Sequence, residues 1–204
     1  MSPHADTPRP PSDPGPHLLL WWLPVGAGGH VVIHTSRWWE VIDASVHRRR
    51  PRPLFHAALE LVVDGRRDII EMAPAWGAPA VDRGVVATGP VGMRALGRSR
   101  FFRYEVRCWR DGVLPDRAWA VGAPVRLDVG LERARHMSDV VASVPGFVWG
   151  RDPLRVGDMW NSNSLASWVL TRSGVEASAL RPPDDGRAPG WASGIAAAAI
   201  RSAH

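Results

Sequence analysis

Three side chains, far apart in the chain, carry the makings of nucleophilic chemistry: the imidazole of His56, the carboxylate of Glu71 and the hydroxyl of Ser162. A serine is a weak nucleophile until a neighbouring base takes its proton. An imidazole is the usual base, and a carboxylate behind it fixes the tautomer and stabilises the charged form. Ser162 lies in Trp160-Asn161-Ser162-Asn163-Ser164, just ahead of Leu165, Trp168 and Val169 at helical spacing. The pattern predicts a helix over 162–172, with Gly174 where a C-terminal cap belongs. A nucleophile in the first turn of a helix sits beside unpaired N–H groups and the positive end of the macrodipole, both suited to an oxyanion. The Ser162 N–H and the side chains of Asn161 and Asn163 are the candidate oxyanion donors or supports. Trp160, Trp149 and Trp76 are candidate cleft walls by sequence position.

The element that must position His56 and Glu71 is a hairpin. Residues 55–63 read as a strand, Asp64-Gly65 is a strong two-residue turn signal, and 66–73 reads as the return strand. In that register Val63 faces Arg66, His56 faces Ala73 and Ala58 faces Glu71. His56 and Glu71 then project from one face as diagonal neighbours, about 7–8 Å apart at the backbone. Glu60 shares the face and is a rival orienter for the imidazole.

Elsewhere, 18–25 and 30–34 read as strands and 38–46 as a helix, stopped at Pro51 after Arg48-Arg49-Arg50. Further strands are expected at 84–88 and 100–109, the latter with Phe102, Tyr104, Val106 and Cys108 on one face. Helices are expected at 128–143 and, from an Ala-rich stretch, at 192–201. Antiparallel strands with helices after them indicate an α+β fold: an antiparallel sheet packed against helices. Residues 1–16, rich in proline, are expected to be a disordered tail. A single domain is expected over 17–180, followed by a C-terminal loop and short helix at 181–204.

At these residues the chain resembles the circularly permuted papain-like superfamily, which includes the NlpC-type peptidase relatives and the lecithin retinol acyltransferase-like enzymes. Those proteins carry a first-strand His, a polar residue on the next strand, and later a Cys opening a helix. The acyltransferase-like pattern of His-x-Ala-Leu, an Asp-Gly turn and His-Leu-Ala-Pro is similar to His56-Ala57-Ala58-Leu59, Asp64-Gly65 and Glu71-Met72-Ala73-Pro74. The helix start Asn161-Ser162-Asn163-Ser164-Leu165 is similar to the family's Asn-Cys-Glu/Asn-His/Ser-Phe, and to an Asn-Ser-Asn-Ser/Thr start in an uncharacterised bacterial branch. The resemblance implies a permuted papain-like arrangement and cleavage or transfer of an acyl group at an amide or ester. Two departures stand out: Ser162 replaces the Cys, and Glu71 replaces the second His. A serine lacks the ready thiolate, but a carboxylate is a common orienter in serine triads, so Ser162–His56–Glu71 is chemically coherent.

A second reading stands beside it. Ser and Asn are preferred helix N-caps, worth about 1 kcal/mol each. Under this reading the chain is a pseudoenzyme that binds a peptide, lipid or protein partner through the same fold. Composition narrows the other classes. The net charge is +5, but there is no Lys, so the 25 basic residues are all Arg, with 20 acids scattered among them. That distribution and the lack of any nucleic-acid signature make a nucleic-acid partner an unfavoured reading. The one cysteine, Cys108, excludes an internal disulfide, and its place on an apolar strand face suggests an inert thiol. His30 and His34 on a strand are about 13 Å apart, too far for joint chelation, so no metal is expected. The glycine clusters at 26–29 and 89–92 lack a nucleotide-binding context, and no cofactor is expected. The apolar run 18–25 is short of the about 20 residues that span a bilayer. No transmembrane segment is expected, and the cytoplasm is the expected compartment.

Overall fold

A computed structural model describes residues 15–26, 50–75, 84–114 and 117–200. The expected strand at 30–34, the helix at 38–46 and Trp76 lie outside the described residues, as does nearly all of the 1–16 tail.

Alternation of apolar side chains builds the sheet. Strands β1 (His17–Pro24), β2 (Phe55–Val63), β3 (Arg66–Pro74), β4 (Val85–Pro90), β5 (Arg103–Arg110) and β6 (Val125–Asp128) lie in the order β4-β5-β3-β2-β1-β6. Every neighbouring pair is antiparallel. Three helices pack against it: α1 (Leu131–Val141), α2 (Ser162–Arg172) and α3 (Trp191–Ala199). The helix-facing side of the sheet supplies Leu18, Leu20, Leu59, Leu61, Ile70 and Val106 to one core with Met137, Leu165 and Leu170. Each such side chain contributes about 1.5–3 kcal/mol on burial. The opposite parity gives a smaller cluster on the outer face: Trp21, Leu23, Ala58, Ile69 and Leu114. The α+β class read from the sequence is the observed one, with the antiparallel sheet and its helices in place.

The hairpin turn follows its local chemistry. Asp64 (φ 52°) and Gly65 (φ 69°) both adopt the left-handed region that a tight two-residue turn requires. Val63 pairs with Arg66 as the turn dictates. The ladder then stops early, at Leu59↔Ile70. Beyond that point β2 follows β1 to Pro24↔Phe55, while β3 follows β5 to Pro74↔Tyr104. The expected pairing of His56 with Ala73 and Ala58 with Glu71 does not form, because the two strands part before reaching it.

The strand expected at 100–109 begins later, at Arg103. Ser99 accepts a hydrogen bond from the Phe101 N–H, holding residues Arg100–Phe102 in a 3-10 turn. Phe102 therefore leaves the apolar face and is exposed, while Tyr104 and Val106 are buried on it. β6 was not expected; four residues are too few to show alternation.

Helix α3 lies tightly against α2. A Cβ on Gly194 would come within 2.1 Å of the Ser164 carbonyl oxygen, a backbone atom that cannot step aside. Gly194→Ala is expected to destabilise the fold by about 1–3 kcal/mol, the usual cost of overpacking, read as a lowered urea midpoint.

Candidate active site

The split between β2 and β3 creates the site. Past Leu59, the β3-facing edge of β2 has backbone groups that no strand satisfies, and buried backbone groups must find partners. The chain supplies them from two other places. The Phe55 N–H donates to the Arg187 carbonyl (2.8 Å), and Leu54 and Arg187 form a parallel bridge. The Asn163 side chain does the rest: its Oδ1 accepts from the Ala57 N–H (2.7 Å) and its Nδ2 donates to the Phe55 carbonyl (2.9 Å). One carboxamide thus takes the place of a neighbouring strand. Because Asn163 sits in α2's first turn, the helix N-terminus is drawn level with the start of β2.

That placement brings Ser162 to His56. The Ser162 Oγ and the His56 Nδ1 are 2.6 Å apart, across 106 residues of sequence. Among the described residues this is the imidazole's one hydrogen bond. Burial pushes the His56 pKa down from 6.5 to about 4, so the ring is neutral at pH 7. A neutral imidazole has one donor and one acceptor nitrogen. With Nδ1 as the acceptor, Ser162 donates and its proton is aimed at the base.

The N-terminus of α2 is built by its cap. The Asn161 Oδ1 accepts from the Asn163 N–H (2.9 Å) and the Ser164 N–H (3.3 Å), and the Ser164 Oγ accepts from the Asn161 N–H (3.0 Å). This reciprocal capping box satisfies donors that a helix start otherwise leaves open. The Ser162 N–H stands outside it and has no acceptor among the described residues. That leaves this N–H available to an anionic group at the helix start, where the helix dipole is favourable.

The two asparagines hold the scaffold. Both Nδ2 groups donate to the Pro189 carbonyl at 2.8 Å. With its bond to Phe55, the Asn163 amide is fully used, so Asn163 supports the site and does not offer an oxyanion donor. The loop carrying Pro189 is held in turn by Asp158, which accepts from the Gly190 N–H (2.6 Å) and the Ala192 N–H (3.0 Å). Sequence reasoning missed Asp158. Its signal was an omission: α3 starts at Gly190-Trp191 with no capping side chain of its own, so a cap had to come from elsewhere.

Glu71 does not join the pair. Its carboxylate accepts from the Arg107 guanidinium at 3.0 Å, and Arg107 also reaches Glu105 at 3.0 Å. Glu71 faces Arg107 in the β3–β5 register, beyond the point where the β2–β3 ladder ends. Glu60, the rival orienter, accepts from the Trp21 indole at 2.9 Å and lies near Arg67 and Arg117.

Trp160 is not a cleft wall. It is fully buried, packed edge-on against Phe147 with ring centroids 5.2 Å apart. Trp149 packs on Tyr104 at 5.8 Å, and its backbone bridges to Val91 beyond β4.

Burial, with the Asp68 charge adding to it, pushes the Cys108 thiol up to about 11, so it is protonated and unreactive at neutral pH. Among the described residues, no group of three or more His, Cys, Asp or Glu is placed to hold a metal ion. No helix among them is long and apolar enough to cross a membrane. No family model matches this chain, and neither a curated protein nor a solved structure matches it.

Proposed function

We propose that the chain is an acyl-bond hydrolase or acyltransferase in which Ser162 is the nucleophile and His56 its base, on a circularly permuted papain-like arrangement. The observation that carries the reading is the 2.6 Å contact between the Ser162 Oγ and the His56 Nδ1 at a helix N-terminus. The arrangement is supported by chain order: the strand bearing His56 comes first and the helix opened by Ser162 comes later. In this mechanism the Ser162 Oγ attacks the carbonyl carbon of an amide or ester and its proton passes to the His56 Nδ1. The tetrahedral oxyanion accepts from the Ser162 N–H. The imidazolium then protonates the leaving amine or alcohol, giving an acyl-serine. Water or a second acceptor, deprotonated by His56, releases the acyl group. Among the described residues no carboxylate orients the imidazole, so the machinery we propose is a Ser162–His56 dyad rather than the Ser162–His56–Glu71 triad.

That same lack of an orienting carboxylate favours a second reading, a binding module in which the Ser162–His56 bond is structural. A fluorophosphonate probe separates the two. The serine oxygen displaces fluoride from phosphorus only if its proton can leave, so an active site gives stoichiometric labelling of Ser162 and none in folded Ser162→Ala. Absence of labelling in the folded wild type supports the binding reading.

A further inference from the structure

The connection between β4 and β5, at the β4 end of the sheet, is basic and free of acidic residues. Between Gly84 and Tyr104 there is no Asp or Glu, while Arg94, Arg98, Arg100 and Arg103 fall within it. Two 3-10 turns, Arg94–Arg98 and Arg100–Phe102, fold the segment and leave its large apolar side chains outside. Met93 is 55% exposed, Leu96 39%, Phe101 66% and Phe102 45%. Scattered single apolar residues on a surface are ordinary, but four such side chains within ten positions form a patch that water disfavours.

The arginines around them are uncommitted. Arg94, Arg98 and Arg100 are exposed, and no carboxylate pairs with them among the described residues. The base of the segment is fixed: the Gly92 N–H donates to the Trp149 carbonyl (3.0 Å) and the Arg151 Nε to the Gly92 carbonyl (2.8 Å). The Arg103 guanidinium closes the first turn on the Gly97 carbonyl. The result is a braced knob with a positive surround and an apolar tip.

We propose that this knob docks the protein on an anionic lipid surface. The phosphates and carboxylates of the headgroups complement Arg94, Arg98 and Arg100, and Phe101, Phe102, Leu96 and Met93 enter the acyl boundary. Duplex sequence is read by polar side chains on base edges, and the tip's side chains are apolar. Docking by this knob does not depend on the chemistry at Ser162.

The test is sedimentation of the full chain with vesicles of phosphatidylcholine alone and of phosphatidylcholine with 30% phosphatidylserine. Binding to the anionic vesicles, weakened by salt, is expected. Each arginine lost should lower the partition roughly fivefold, so Arg98→Gln with Arg100→Gln together should lower it roughly 25-fold. Phe101→Ser with Phe102→Ser should abolish it. These side chains are exposed, and circular dichroism confirms that each variant folds. Equal partition onto neutral and anionic vesicles, or none onto either, overturns the proposal. So does retention of a single-stranded oligonucleotide with no vesicle binding.

Discussion

Replacing His56 by Ala or Gln is expected to slow fluorophosphonate labelling of Ser162 by about 10²–10⁴-fold, the usual contribution of a general base. The magnitude follows from the role proposed for His56 beside Ser162. Among the described residues the Ser162 hydroxyl has one base within reach, at 2.6 Å, and the low pKa of that base keeps it unprotonated at pH 7. With the imidazole gone, the helix dipole and the Ser162 N–H still stabilise a developing negative charge, but nothing takes the proton. Glu71→Gln provides the contrast. Its carboxylate is held by Arg107, so labelling should change by less than about tenfold, whereas a triad with Glu71 behind the ring would lose orders of magnitude. Labelling rates on the wild type and these variants, compared at equal folded fraction, decide between dyad and triad.

The largest expected effect on stability comes from Asn163→Leu, which keeps the side-chain shape and removes every polar atom. The Ala57 N–H and the Phe55 carbonyl, both in buried residues, would lose their partners, as would the Pro189 carbonyl in part. Leaving a buried backbone group unsatisfied costs about 1–3 kcal/mol, so the loss should be on the order of 3–5 kcal/mol. That is a large share of the about 5–15 kcal/mol by which a domain is stable. Urea denaturation should show a lowered midpoint with little change in slope. Asn161→Ala should cost less, about 1 kcal/mol as a lost N-cap, with the Ser164 half of the capping box still present.

Local chemistry made much of this legible beforehand. The Asp64-Gly65 turn set the register of Val63 with Arg66, and the apolar period of Leu165, Trp168 and Val169 located α2. The ordering of a histidine strand before a serine-led helix put His56 and Ser162 forward as partners. What stayed hidden depends on contacts distant in sequence. Glu71 is claimed by Arg107 because β5, more than thirty residues on, is its neighbour in the sheet. Nothing within the hairpin encodes that. The early end of the β2–β3 ladder is equally non-local: it depends on Asn163 and Arg187 taking up the edge of β2. Asn163 was legible as a helix-start residue, but not as a substitute for a strand. Trp160 adjoins the candidate nucleophile in sequence, yet a residue just before a helix N-cap can point into the core as readily as outward.

The proposed dyad requires a neutral His56 that accepts the Ser162 proton at Nδ1. The most direct measurement is a long-range proton–nitrogen NMR correlation of the imidazoles, with His56 assigned by its loss in His56→Ala. The expected spectrum shows His56 protonated on Nε2 and bare on Nδ1, with shifts that hold from pH 7 until the pH approaches about 4. The Ser162→Ala variant should shift the Nδ1 resonance. A proton found on Nδ1 at pH 7, or a titration near 6.5 like that of a free imidazole, would contradict the account: Ser162 would then have no base ready to receive its proton.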